Sequence, residues 1–410
     1  MAQNDLSFNQ VATLLNSIQS QVTGRATITA TDTSTFVQCA TTTLKTGYDP
    51  VFNAVNQLLS RTIYSIRPYN AKFSGIRASE SAYGNHVRKL AVVDNPAVND
   101  DRYAWPSAYD SSKTDNADGN GQSVDQQVIR KNSILQTNLY GSNVYSDYYT
   151  IFRDQLECAF SSPEELGRFW TMITQNHLDL LEQWREDSAR VALINFIGGI
   201  LDEKNNARVV HLLSEYKSLC GDDTLTAQTI YKPENFKSFM QFAYARMGTV
   251  SQMMTERSVQ YQTVISDKPV SRHTPLADQR CYVLTQSMKY AEAMALANTF
   301  KDSFVSQAKG SIDMEYVNFW QSIETPDSIN AKPSYINAAN GAVKIAAADV
   351  EQAGIFAVLF DKDALGYAPT QAWSQPAPFN ARGGYTTFWV HETEKVWNDH
   401  TEKGVVFLLD

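Results

Sequence analysis

The stretch SPEELGRFWTMITQNHLDLLEQWREDSARVALINFIGG, from Ser162 to Gly199, opens with a helix-start signal and keeps one period to its end. Ser162 is placed to cap, Pro163 tolerates the first turn because it has no N–H to offer, and Glu165 sits where a capping box would close. Leu166, Phe169, Trp170, Ile173, Leu180, Leu181, Trp184, Val191 and Ala192 then recur on one helical stripe, which the pair Gly198-Gly199 is expected to stop. A continuous helix of this length spans about 50 Å at 1.5 Å per residue, enough to cross a whole domain. His177 lies on its apolar face, where a hydrogen-bonded core histidine is the expected role.

Upstream, LSFNQVATLLNSIQSQV (Leu6–Val22) places Phe8, Val11, Leu15, Ile18 and Val22 near one face of a short amphipathic helix. The threonine-rich segment Thr23–Thr46 favours extended chain through its β-branched residues. A further helix is expected over Pro50–Ser60. Short helices joined by extended chain describe an arm.

Ile63, Tyr64, Ile66, Tyr69 and Phe73 then give a strand-like pattern over Arg61–Lys72, and Val124–Tyr140 reads as a returning strand. Between them runs a polar tract rich in Asp, Asn, Ser, Gly and Pro that also holds Trp105 and Tyr109. A tract of this length fits a compact domain only if it projects, and a lone two-stranded projection is marginal in water. It is therefore expected to lie against a neighbouring subunit.

Downstream, helices are expected over Lys237–Met247 and Ala291–Gln307, and strands at Cys281, Ile355–Phe360, Tyr385–Val390 and Val405–Leu409. The mixture is α+β.

The 410 residues are 43% hydrophobic and 19% charged, with 20 Tyr, 19 Phe and 7 Trp, a composition that excludes a disordered chain. A net charge of −9 gives no overall attraction to nucleic-acid phosphate. Cys39, Cys158, Cys220 and Cys281 are scattered without a CxxC pair and are expected as small buried hydrophobes in a reducing compartment. The beginning MAQNDLSFNQ has neither a basic nor an apolar leader region, and no apolar run reaches membrane-spanning length, so use in a cytoplasm is expected.

Catalytic patterns are absent from the sequence. His391-Glu392 begins like a zincin helix, but Lys395 stands where the second histidine belongs. Asn116-Ala-Asp118-Gly-Asn120-Gly121 resembles half a calcium loop, with Gln127 in place of the closing Glu. In GIFAVLFDKDALGY (Gly354–Tyr367), Asp361-Lys362-Asp363 has no nearby His, Ser or Cys to make an acid–base pair, and a chain reversal between strands is expected. No cofactor or metal is called for, and a hydrolase built on Asp361 and Asp363 lacks its partner group.

Three segments carry a family likeness: LSFNQVATLLNSI, GIFAVLFDKDALGY and NARGGYTTFWVHETEKVW. Together with the order of arm, projecting loop, long helix, α/β module and closing strands, they resemble the major capsid proteins of tailed bacteriophages. That is the Hong Kong 97 fold shared with herpesvirus capsids and encapsulins, and the nearest likeness is to small podophages of the phi-twenty-nine type. The length and polarity of the 94–123 tract depart from the pattern, and nothing after Leu409 suggests an appended immunoglobulin-like domain.

The resemblance implies an α+β, Hong Kong 97-like organisation. Residues 1–60 would be the N-terminal arm, 61–150 the extended two-stranded loop, 151–220 the peripheral domain with its spine helix, 221–369 the axial domain, and 370–410 the closing strands. It implies self-assembly through pentamers and hexamers into an icosahedral shell around double-stranded DNA held without sequence-specific contacts. Scaffolding, portal and cement proteins would be partners, with no membrane involved. The protein would be made in the host bacterial cytoplasm and reside in the virion, with little or no N-terminal trimming. Phe8, Val11, Leu15, Ile18, Tyr64, Tyr69, Trp105, Tyr109, Trp170, Trp184, Arg382 and Trp389 are the residues expected at assembly contacts. An encapsulin-type shell, which would share the fold, and a tail or baseplate component, of a different class, are the alternatives.

Overall fold

Ser162 caps the long helix as its sequence requires, its Oγ accepting the Glu165 amide at 3.2 Å. The structure is a computed structural model and describes residues 8–24, 29–63, 73–77, 86–95, 127, 131–140, 143–205, 207–266, 268–285 and 313–410. Three helices come first: α1 (Phe8–Thr23), α2 (Thr33–Lys45) and α3 (Tyr48–Ile63). A hairpin of β1 (His86–Val92) and β2 (Ile134–Tyr140) follows, then β3 (Asn143–Phe152), α4 (Arg153–Ala159) and the long α5 (Pro163–Glu203). Next come β4 (Val209–His211), α6 (Leu212–Cys220), α7 (Pro233–Thr255), β5 (Gln279–Leu284) and β6 (Asp313–Val317). Four three-residue strands, β7 (Ile329–Ala331), β8 (Ser334–Ile336), β9 (Val343–Ile345) and β10 (Val350–Gln352), lead into the closing strands. These are β11 (Ile355–Asp361), β12 (Leu365–Pro376), β13 (Tyr385–Asn398) and β14 (Gly404–Leu408).

Two sheets organise the chain along α5. One is five-stranded and mixed, in the order β4-β14-β11-β5-β6. Its apolar runs IFAVLF and VVFL are buried on both faces, which is why they do not alternate. One face packs Val283, Leu359 and Phe407 against α6 and α7 through Leu213, Phe239 and Met240. The other packs Val358, Phe360 and Val406 against Leu193, Phe196 and Ile200 at the C-terminal end of α5. The second sheet, β12-β13-β3, is antiparallel throughout. Beside it a third core joins Leu15, Phe36, Phe52, Trp170 and Phe388, so that α1, α2 and α3 form a helical layer on the N-terminal part of α5.

Several expectations are corrected. The threonine-rich segment contains a helix, α2, because Asp32 caps it and its hydroxyls find local acceptors: Thr41, Thr42 and Thr43 each donate to the carbonyl four residues back at 2.8 Å. With Phe36, Cys39 and Ala40 buried beside them, packing overrides β propensity. Gly198-Gly199 does not end α5, which runs to Glu203 and stops at Lys204 in the left-handed region. The glycines serve close approach instead, since a Cβ on Gly199 would stand 2.3 Å from His400 Nε2 and one on Gly198 would stand 3.2 Å from Pro333. β2 pairs with β1, from Val92 opposite Ile134 to His86 opposite Tyr140, and not with Arg61–Lys72, where α3 extends to Ile63 and residues 64–72 lie outside the described residues. Cys39 and Cys281 are buried as expected, but Cys158 and Cys220 are exposed. The helix expected over Ala291–Gln307 lies outside the described residues.

Candidate assembly surfaces

A sheet that turns one face to a helix and one to water normally alternates apolar inward and polar outward. In β12-β13-β3 carboxylates join the inward face and aromatic rings join the outward one. The inward residues of β13 include Phe388 and Val390 but also Glu392 and Glu394, at 4% and 1% exposure. From β3, Asp147 also faces α5, its Oδ2 lying 2.9 Å from His177 Nδ1. Arg185 of α5 bonds Glu182 at 2.6 Å and reaches Glu392 with two of its nitrogens. Trp184 of α5 packs on Tyr145 with ring centroids 5.1 Å apart. Burial pushes Glu394 up to about 8, and Glu392 repels it further. The histidine expected in the core of α5 is there, hydrogen-bonded, at 3% exposure.

The outward face holds the rings. Tyr148, Trp389 and Trp373 are 62%, 41% and 39% exposed, and Phe152 stands on the same face. Cross-strand register aligns them: Tyr148 opposes Trp389, Trp373 opposes His391 and Phe152 opposes Tyr385. The Tyr148 and Trp389 centroids are 4.9 Å apart, and His391 stacks with Trp373 at 5.1 Å. Of the Asp, Glu, Lys and Arg of these three strands only Lys395 shares the register of Trp389 and His391, and it is 4% exposed.

The hairpin meets the body at a polar socket. Lys89 donates to the Asp363 carbonyl, and its Nζ lies 3.1 Å from Asp399 Oδ2 and 3.5 Å from Glu402 Oε1. Arg272 joins Glu402 and receives support from Thr401 at 3.1 Å. Asp361 accepts from Thr274 at 2.7 Å and from the Asp363 amide at 2.9 Å, so Asp361-Lys362-Asp363 is the expected turn and also one wall of this socket. Burial would raise the Asp399 carboxyl, but Lys89, the Thr401 hydroxyl and Arg272 outweigh it and hold it below the usual range. Burial takes Glu402 the other way, up to about 7, against the pull of Lys89 and Arg272. A second tether lies at the loop end of the hairpin, just past β1, where Asp94 pairs with Arg257 at 2.6 Å and accepts the Ser271 amide.

The residues expected at assembly contacts separate by burial. Val11, Leu15, Ile18 and Trp170 are buried within the chain, at 2% exposure or less, and Phe8 is half-buried beside them. They hold the helical layer on α5. Trp184 is half-buried, while Arg382 and Trp389 are exposed. Tyr64, Tyr69, Trp105 and Tyr109 lie outside the described residues, as does the calcium-like segment 116–121. Among the described residues no group of His, Cys, Asp and Glu has metal-binding geometry.

Tyr148, Trp373 and Lys89 did not emerge from sequence reasoning. For the rings a signal exists, because YTTFWVHETEKVW alternates Trp389, His391 and Thr393 with Val390, Glu392 and Glu394. Lys89 and Asp399 have none, being more than 300 residues apart with no local pattern to link them.

Comparison with solved structures bears on the fold. A chain of the capsid structure of Staphylococcus phage Andhra is 11% identical, covering 83% of this chain and 84% of that one at a TM-score of 0.50. At that identity it is the architecture that is shared. Structures titled for the head fiber and inner core protein of bacteriophage P68 and for the capsid of cyanophage P-SCSP1u have TM-scores of 0.48 and 0.43, with 12% and 9% identity. They cover 83% and 84% of this chain and 85% and 90% of theirs. No curated protein sequence matches the chain. The family model for Phi29-like phage major capsid proteins matches residues 13–408, from within α1 to the end of β14. The match takes in the helical layer, the hairpin, α5 and both sheets, and the chain belongs to that family of major capsid proteins.

Proposed function

We propose that this chain builds the icosahedral shell that encloses the double-stranded DNA of a tailed phage, assembling through pentamers and hexamers of itself. The observation that carries the reading is the outward row of rings on β12-β13-β3, where Tyr148, Phe152, Trp373 and Trp389 stand exposed together, because a clustered aromatic patch marks a surface that another protein covers. A shell subunit meets its neighbours through two different surfaces of one chain, and such heterologous contacts close into rings.

In this reading the organisation is Hong Kong 97-like. Residues 1–60 form the N-terminal arm, here seated as helices on the spine, 61–150 the extended loop, 151–220 the peripheral domain around α5, 221–369 the axial domain meeting at capsomer axes, and 370–410 the closing strands. Scaffolding, portal and cement proteins are the partners expected in a growing shell. DNA is enclosed without sequence-specific contact, which suits a subunit of net charge −9. The subunit is made in the host bacterial cytoplasm and ends in the virion, its role structural and not catalytic.

Peptide mass spectrometry of fractionated particles tests the assignment. This chain should dominate the DNA-filled head fraction. Its confinement to tails, or its presence there in a few copies, would contradict the reading.

A further inference from the structure

The layer between α5 and the β12-β13-β3 sheet holds one carboxyl that its neighbours do not serve. Glu394 of β13 is 1% exposed, and neither of its oxygens completes a hydrogen bond among the described residues. The groups around it are committed elsewhere. On the same face of β13, Glu392 accepts from two nitrogens of Arg185, and Glu182 accepts from the third at 2.6 Å. Asp147 of β3 is engaged by His177 of α5 at 2.9 Å. Tyr367 of β12 is 2% exposed and held neutral by burial, which pushes its phenol up to about 12. Lys395, next along the strand, shares the opposite register, that of Trp389 and His391. Arg185, Arg77 and the Ser188 hydroxyl ease a charge on Glu394, but loss of water outweighs them and Glu392 repels it. A carboxyl so placed is stable as the neutral acid and costly as a lone buried charge.

We infer that this layer is a proton-controlled latch, in which the protonated Glu394 carboxyl holds α5 against the sheet and loss of its proton loosens that contact. The latch stands on the geometry of the layer and is independent of how the chain assembles.

Counting charges shows why the contact has two states. Glu392 and Glu394 stand two residues apart on one face of β13, roughly 7 Å along the strand, with the Arg185 guanidinium shared between Glu392 and Glu182. An ionised Glu394 competes for that guanidinium, and whichever carboxylate loses is left buried without its partner. One proton on Glu394 removes the conflict. The loosening is local, because α5 is also fixed in apolar cores on either side of the latch, through Trp170 and through Phe196. Glu394 rises from 4.5 in the open state to about 8 in the closed one, so opening sheds a proton between those values. It should become about ten-fold easier for each pH unit across the interval and level off above it.

Hydrogen exchange read by mass spectrometry on the intact chain, with rates corrected for the chemical effect of pH, tests the latch. Between about pH 5 and pH 8 the amides of β13 should open about ten-fold more readily per pH unit, then reach a plateau. Amides of β11 and β14, in the other sheet, should stay more protected throughout. Glu394→Gln keeps the shape without the proton and should abolish the dependence, while Glu402→Gln, in the hairpin socket, should leave it in place. The wild-type slope and plateau need no variant, so they decide the matter even where Glu394→Gln fails to fold. A wild type whose β13 exchange ignores pH, an unchanged slope in Glu394→Gln, or equal protection of the two sheets at every pH would overturn the latch.

Discussion

Lys89 and Asp399 meet with Nζ 3.1 Å from Oδ2, the carboxylate fully buried and the lysine one-fifth exposed. The pair ties the β1–β2 hairpin to the junction between the two sheets, and Asp399 depends on it, because a buried carboxylate without its counter-charge is strongly disfavoured.

Removal of the lysine should therefore cost more than an exposed ion pair is worth. Lys89→Met is expected to destabilise the monomer by about 3 kcal/mol in urea unfolding. Adding Asp399→Asn should recover much of that loss, since the orphaned charge disappears. Equal unfolding midpoints for wild type and Lys89→Met would show that the socket does not hold the hairpin.

The buried carboxyls set the response to pH. Glu394 and Glu402 rise from an ordinary value of 4.5 to about 8 and about 7. The folded chain then binds protons that the unfolded chain has released, so the contribution of these two carboxyls is full below pH 4.5 and is lost as pH climbs through 7 and 8. His400 acts oppositely: burial lowers it from 6.5 to about 3, so its contribution is complete above pH 6.5 and is lost on acidification toward 3. Unfolding free energy should fall between pH 6 and pH 9, by a few kcal/mol on the order of one pKa unit's 1.4 kcal/mol per unit traversed, and Glu394→Gln should flatten the slope. A stability that rises over that interval would contradict the assignment.

Two helix glycines should respond to alanine with opposite signs. Gly248 in α7 has nothing within 4 Å of an added Cβ, so Gly248→Ala should stabilise by about 0.5 to 1 kcal/mol. Gly199→Ala would press on His400 Nε2 and should destabilise by about 1 to 2 kcal/mol after the helix gain is subtracted. Thermal melts of the two variants shifting in the same direction would sink this account of Gly199.

Burial also separates two tryptophans that look alike in sequence. Trp170, 2% exposed in the helical core, should cost about 3 to 5 kcal/mol of monomer stability on replacement by alanine. Trp389→Ala should cost the monomer under about 1 kcal/mol yet lower the yield of assembled particles measured by sedimentation. A Trp389→Ala protein that assembles like wild type would remove the aromatic face from the assembly surfaces.

How much of this was legible in the sequence depended on distance along the chain. The start of α5 was readable because Ser162, Pro163 and Glu165 act within one turn, and β11 and β14 because an unbroken apolar run marks a strand buried on both sides. The end of α5 was not, since Gly198-Gly199 carries the same letters whether it stops a helix or admits Pro333 and His400. Helix α2 was hidden because threonine's extended preference is overcome only when Phe36 and Cys39 find a core. In the assembly surfaces, Trp389 stood out as an aromatic, but its partners Tyr148 and Trp373 emerge only from strand register. Lys89 required the fold itself, which brings residue 89 to residue 399.

Electron microscopy of the purified protein, concentrated in solution, tests the central claim most directly. Closed shells, or rings of five and six subunits, are the predicted result. A protein that stays a uniform monomer across concentration and ionic strength would contradict it.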